Sequence, residues 1–183
     1  MNYDNDWVKA RYDKGEEIEF VFFWAHHSRS KESIDKSCLS QWFERDFQYK
    51  NVKYLTAEHW MMAEKAKLFK DDNSLKLILN SKTAKDAKAL GRKVRGFDIP
   101  TWTSCCESIV KNGNYLKFKQ NKDLREYLNS TGNKILVEAS PYDNIWGIGM
   151  KNGDNGIENP NNWKGLNLLG YALMEVRDKL RNE

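Results

Sequence analysis

Leu166, Leu169, Leu173, Val176 and Leu180 recur at spacings of three and four, the period that lays one apolar stripe along an α-helix. That stripe predicts a last helix packed across a core. Residues 57–69 predict another, built of strong helix formers without Gly or Pro, with Thr56 as N-cap and Glu58 as an acid in the first turn. Residues 73–79 and 84–90 read as two shorter helices, with Asp72 and Thr83 as caps and Gly91 as a C-terminal stop. Pro100 and Trp102 open a further helix running through Cys105 and Ile109 toward Phe118, and residues 123–128 continue the helical pattern until Thr131-Gly132. The β-branched and aromatic run 18–24 predicts a buried strand, residues 134–139 a second, and residues 49–54, with the turn-like Lys50-Asn51, a strand or hairpin arm. Residues 25–36 read as a loop, and 38–47 hold a short aromatic run.

Residues 141–160, with Gly147, Gly149, Gly153 and Gly156 between two prolines, predict a long connection. Connections of that length in a domain are usually functional or disordered, and the tryptophans beside this one favour function. Residues 1–17 are a polar lead-in anchored only by Trp7, Val8 and Tyr12. The expectation is a mainly α, helix-rich α+β chain with one compact domain over residues 18–183, about six helices and a small β element.

Composition narrows the function. Aromatics make up 13% of 183 residues and include seven Trp, which suits an aromatic-lined pocket. The net charge of +4 is spread without a polybasic run, which argues weakly for anionic ligands and poorly for a dedicated duplex-DNA binder. Cys38, Cys105 and Cys106 lack metal-like spacing and read as free thiols of a reducing cytoplasm. No secretory pattern and no span-length apolar stretch is present, so a soluble, cytoplasmic protein with no membrane contact is expected.

Glu58 and Lys65 share one face of the predicted helix, about 10 Å apart along its axis. Either both are surface charges, or, beside Met61 and Met62, they border apolar ground where burial tunes an acid–base group and a nucleophilic or phosphate-binding amine. Asp143 precedes Trp146 by three residues, with Gly147 and Gly149 allowing close backbone approach. Either the indole stacks on a flat heterocycle while the carboxylate supports an oxocarbenium-like ribosyl centre or orients water, or Trp146 is a core anchor and Asp143 builds an Asx turn. Trp102 either packs at a helix start or lines the pocket, and Trp163 and Asn167 either serve a ligand or tie down the long loop. Arg92 or Arg95 in Gly91-Arg-Lys-Val-Arg-Gly96 either touches phosphate or belongs to a solvated turn. His26, His27 and His59 follow no zinc pattern and no dinucleotide or Walker loop is present, so neither a metal nor a cofactor is expected.

Together the segments Thr56-Ala-Glu-His-Trp-Met-Met-Ala-Glu-Lys65, Gly91-Arg92, Trp102, Gly113-Asn114, Lys117-Phe118, Leu136-Val-Glu-Ala-Ser140, Trp146-Gly-Ile-Gly149 and Asn167-Leu-Leu-Gly170 resemble the NADAR, or YbiA-like, superfamily over about residues 18 to 181. The resemblance implies a compact helix-rich domain and metal-free cleavage of the C–N bond between ribose and an amine-bearing base. One branch acts on phosphoribosylamino-pyrimidine intermediates of riboflavin synthesis, and another removes ADP-ribose from guanine in DNA. It implies Glu58 as the catalytic acid, Lys65 as a lysine that engages the sugar, and Asp143 and Trp146 as the second acidic and aromatic positions. Leu39-Ser40-Gln41-Trp42 departs from the family's frequent Phe-Ser-Asn-Phe, with Gln moving the amide by one methylene.

The residues and the resemblance converge on an N-glycosidase with catalytic Glu58, Lys65 and Asp143 and with Trp102, Trp146, Gly147, Arg92 and Asn167 binding substrate. The expected partner is a small ribosylamine, with a phosphoribosylamino-pyrimidine first. An ADP-ribosylated substrate, including modified nucleic acid, and a non-catalytic module that binds ADP-ribose or NAD are the alternatives.

Overall fold

The computed structural model describes residues 2–27 and 33–183. In chain order these form α1 (Asn5–Asp13), β1 (Phe20–Phe23), a 3-10 turn (Lys36–Leu39), β2 (Phe47–Tyr49), β3 (Val52–Tyr54), α2 (Ala57–Leu68), α3 (Asp72–Asn80), α4 (Ala84–Gly91), α5 (Ile99–Gln120), α6 (Lys122–Ser130), β4 (Ile135–Glu138), a second 3-10 turn (Pro160–Asn162) and α7 (Leu168–Arg181). The result is the helix-rich α+β architecture expected, with seven α-helices among the described residues. The chain forms two compact units, residues 1–40 with 123–183, and residues 41–122.

In the first unit β1 and β4 pair in parallel, Phe20 with Ile135 through Phe23 with Glu138, and α7 packs on β4. Close approach is possible because Gly170 has no Cβ, which would sit 2.1 Å from the Leu136 carbonyl oxygen. Leu169, Leu173, Val176 and Leu180 of the predicted stripe are all buried. Leu166 is a correction. It lies before the helix and is half exposed, because Asn167 takes a left-handed conformation (φ 53°) and α7 starts only after it.

The lead-in is also ordered beyond expectation. Asp4 caps α1 by accepting the Trp7 N–H, Val8 is fully buried, and Asn5 is bonded to the Gly165 carbonyl and the Tyr171 hydroxyl. The predicted loop 25–36 includes residues 28–32, which lie outside the described residues; its last residue, Lys36, opens the first 3-10 turn.

The second unit is built around α2, which contacts α3, α4 and α5. β2 and β3 form the hairpin signalled by Lys50-Asn51, both at positive φ as a tight primed turn requires. Tyr49 and Tyr54 set their ring edges against Trp60 of α2. Two sequence assignments change. The cap of α3 is the buried Asp71, not Asp72, since Asp71 accepts from the Ser74 N–H and hydroxyl and from the Arg95 N–H and guanidinium. Those four donors hold its carboxyl well below the usual carboxylate range. Gly91 is the last residue of α4 rather than a stop beyond it, and it is required by Met62, whose sulfur would lie 2.0 Å from an added Cβ.

Candidate active site

In the second unit α2 carries the acid and the amine. Thr56 caps it, accepting the His59 N–H, while the Thr56 hydroxyl donates to His59 Nδ1 at 2.8 Å. His59 Nε2 must then carry the proton it gives to the Ser81 carbonyl at 3.2 Å. Burial lowers the His59 pKa and keeps the ring neutral, and its two ring bonds lock α2 to the end of α3. Among the described residues no group of three His, Cys, Asp or Glu side chains could hold a metal ion.

Glu58, in the first turn, is 4% exposed, and Met61 and Met62 beside it are buried as well. This is the apolar border rather than a solvated face. Its carboxylate sits at the positive end of the helix dipole, and its N–H donates to the Gln41 carbonyl at 3.0 Å.

Lys65, in the last turn, is half buried. Its Nζ lies 4.0 Å from the centre of the Phe97 ring and 5.5 Å from that of Trp102. Burial pushes the amine below the ordinary lysine value, while the two ring faces favour the cation. The structure thus brings Lys65 and Trp102 together, on the frame set by the α2–α5 crossing, where Trp60 Nε1 donates to the Ile109 carbonyl over Gly113. Phe97 was not visible as a site residue from the sequence, since it stands in a polar turn. Its ring is held edge-on by Phe69 and remains 43% exposed.

Arg92 caps the end of α4 and is exposed. Arg95 is the cation bonded to Asp71, in a turn where Gly96 has φ +70°. A surface hollow of about 380 Å³ in this unit is lined by Glu44, Arg45, Asp46, Leu55, Thr56 and Lys82 and contains none of the expected site residues.

In the first unit the fold gathers Asp143, Trp146, Gly147 and Asn167 at one junction. Asp143 Oδ1 accepts the N–H groups of Ile145 and Trp146, which is the Asx turn, and Trp146 is half buried. The space a Cβ would need at Gly147 is filled by the carbonyl oxygens of Glu138 and Asp143, at 2.8 and 3.0 Å. Gly147 therefore allows the loop to pack closely on β4.

Asn167 is fully buried. Its Oδ1 accepts the Glu138 N–H and its Nδ2 donates to the Leu136 carbonyl, both at 3.0 Å, which ties it to the β4 backbone. Trp163 likewise donates from Nε1 to the Ile157 carbonyl and fastens the long loop. For both residues the loop-fastening alternative is the one the geometry displays.

Among the described residues no helix is long and apolar enough to cross a membrane. The model of the NADAR domain matches residues 22–181. N-glycosidase R617 of Acanthamoeba polyphaga mimivirus is 42% identical over 167 residues, covering 88% of this chain and 96% of its own. N-glycosidase Npun_R5314 of Nostoc punctiforme is 33% identical over 145 residues, 79% of this chain and 86% of its own. The NMR structure of the Escherichia coli protein YbiA superposes with a TM-score of 0.73 at 25% identity, covering 91% of this chain and 87% of that one. With a domain match across most of its length and these relatives beside it, the chain belongs to the NADAR domain family.

Proposed function

We propose that this protein is an N-glycosidase, a hydrolase that breaks the C–N bond between ribose, or ribose phosphate, and an amine-bearing base. The observation that carries the reading is the pairing of a half-buried Lys65 amine with the Phe97 and Trp102 rings, on the helix whose first turn buries Glu58. The rings offer π surface to a flat base. Glu58 is the group that gives a proton to the departing amine as the C1–N bond breaks.

Two fates are open to C1. Water adds to the oxocarbenium centre and loses its proton to the Glu58 carboxylate, giving ribose and free base. Alternatively the sugar ring opens, the neutral Lys65 amine adds to C1, the base leaves as its amine, and water hydrolyses the resulting imine. Both routes consume one water and yield the same products.

The first substrate class is a phosphoribosylamino-pyrimidine. A second is ADP-ribosyl-guanine in DNA, whose ribosyl C1 is open to the same two routes. Wild-type protein and Glu58→Gln are incubated separately with phosphoribosylaminouracil and with an ADP-ribosyl-guanine oligonucleotide, and products are read by mass spectrometry. Glu58-dependent release of aminouracil supports the first substrate, and restored guanine the second. Removing the acid–base group should cost about 100-fold to 10,000-fold in rate, and a folded Glu58→Gln that loses less than about tenfold overturns its role. Borohydride added during turnover reduces an imine to a mass-shifted Lys65 only on the covalent route. If neither substrate is cleaved while ADP-ribose or NAD binds tightly, the protein is a binding module.

A further inference from the structure

Asn114 is fully buried in the C-terminal half of α5. Its Nδ2 donates to Gln41 Oε1 at 2.9 Å and to the Val110 carbonyl at 3.0 Å, while its Oδ1 has no hydrogen-bond partner among the described residues. The amide cannot be turned over, because Oδ1 would then face two acceptors. A buried orphan acceptor is uncommon in native proteins and calls for a reason.

Gln41 offers one. Its side chain is held at both amide atoms, with Oε1 on Asn114 and Nε2 4.0 Å from Met61 Sδ. Its backbone carbonyl accepts the Glu58 N–H, one of the first-turn amides that an α-helix cannot satisfy internally. A continuous set of bonds therefore runs from the Val110 carbonyl through Asn114 and Gln41 to the backbone of the acid.

We infer that Gln41 and Asn114 are a positioning pair for Glu58. Asn114 clamps the Gln41 amide, the clamp fixes the Gln41 carbonyl, and the carbonyl fixes the first turn of α2 from which the Glu58 carboxyl projects. The orphan Oδ1 is the cost of having a donor at that point. The inference rests on the catalytic reading of Glu58, through which both residues act.

Two variants test it. Gln41→Asn shortens the side chain by one methylene and draws the amide oxygen out of reach of Asn114. Gln41→Met combined with Asn114→Leu replaces both amides by apolar groups of similar size, removes the orphan acceptor and leaves no donor unmatched. In each, hydrogen exchange at the Glu58 amide should quicken by about tenfold while the Ala66 amide of the same helix keeps its wild-type rate. Base release should lose about tenfold to a hundredfold in kcat, with KM within about threefold. Exchange unchanged at Glu58, or accelerated equally at Ala66, overturns the pair. So does faster Glu58 exchange with undiminished kcat. Should the double variant fail to fold, Gln41→Asn alone separates the same outcomes. Exchange is read without substrate, so a wild-type protein that releases no base refutes the N-glycosidase reading while the clamp on Glu58 is still decided.

Discussion

Asn167→Ala separates a loop fastener from a ligand contact. The wild-type side chain gives one bond to each of two β4 backbone groups, both inside the first unit. Alanine strands the part-buried Glu138 N–H, a loss of about 1–3 kcal/mol, and removes one bond from the Leu136 carbonyl for about 1 kcal/mol more. It also leaves at φ 53° a residue without the short polar side chain that makes this conformation tolerable for Asn, which costs about 1 kcal/mol more. The sum is roughly 3–5 kcal/mol. Urea denaturation with a slope of about 2 kcal/mol/M would show it as a midpoint lower by roughly 2 M. Asn167→Gly recovers only the backbone part, about 1 kcal/mol. Asn167→Asp keeps the Glu138 bond but turns a carboxylate oxygen toward the Leu136 carbonyl, and should be as damaging as Ala. An Asn167→Ala protein within about 1 kcal/mol of wild type, with weakened substrate binding, would refute this reasoning and return Asn167 to a ligand role.

Three further outcomes are expected. His59 is held neutral by burial, so the stability it contributes is present in full above its ordinary pKa and is lost as pH falls below it; the denaturation free energies of wild type and His59→Asn should converge between about pH 7.5 and 5.5, and a constant gap refutes the assignment. Gly113→Ala puts a Cβ 2.3 Å from Trp60 Cδ1, which displaces the indole and its bond to Ile109, and should lower stability by about 2–4 kcal/mol in a thermal melt. Asp143→Asn keeps the oxygen that accepts from Ile145 and Trp146, so the fold should persist while base release drops more than about tenfold; full activity would confine Asp143 to its turn.

Much of the fold was legible because helices advertise themselves locally. The stripe through α7, the Thr56 and Thr83 caps and the Lys50-Asn51 turn each depend on neighbours a few residues away. What escaped depends on distant partners. The polar α1 is ordered by Asn5 bonding to residues 160 and 166 positions onward, and Gly91 is explained by Met62 rather than by a helix end. At the candidate site the Glu58–Lys65 face was readable from one helix. The Phe97 bracket on Lys65 and the Gln41–Asn114 bond span 32 and 73 residues, and no spacing rule links such positions. Asn167 stood between two roles in the sequence for a related reason: an amide that bonds backbone and one that bonds ligand look alike until the strand it serves is in place.

The interruption of one unit by the other bears on the order of events during synthesis. Residues 41–122 are contiguous and can begin to condense as soon as they leave the ribosome. The first forty residues emerge earlier yet must wait, since β1 has no strand to join until Ile135–Glu138 is made and Asn5 has no Tyr171 until later still. The nascent chain thus carries the aromatic Phe20–Phe23 strand unpaired for more than a hundred residues of elongation. That interval is where a chaperone that shields short apolar strands would have the most to act on.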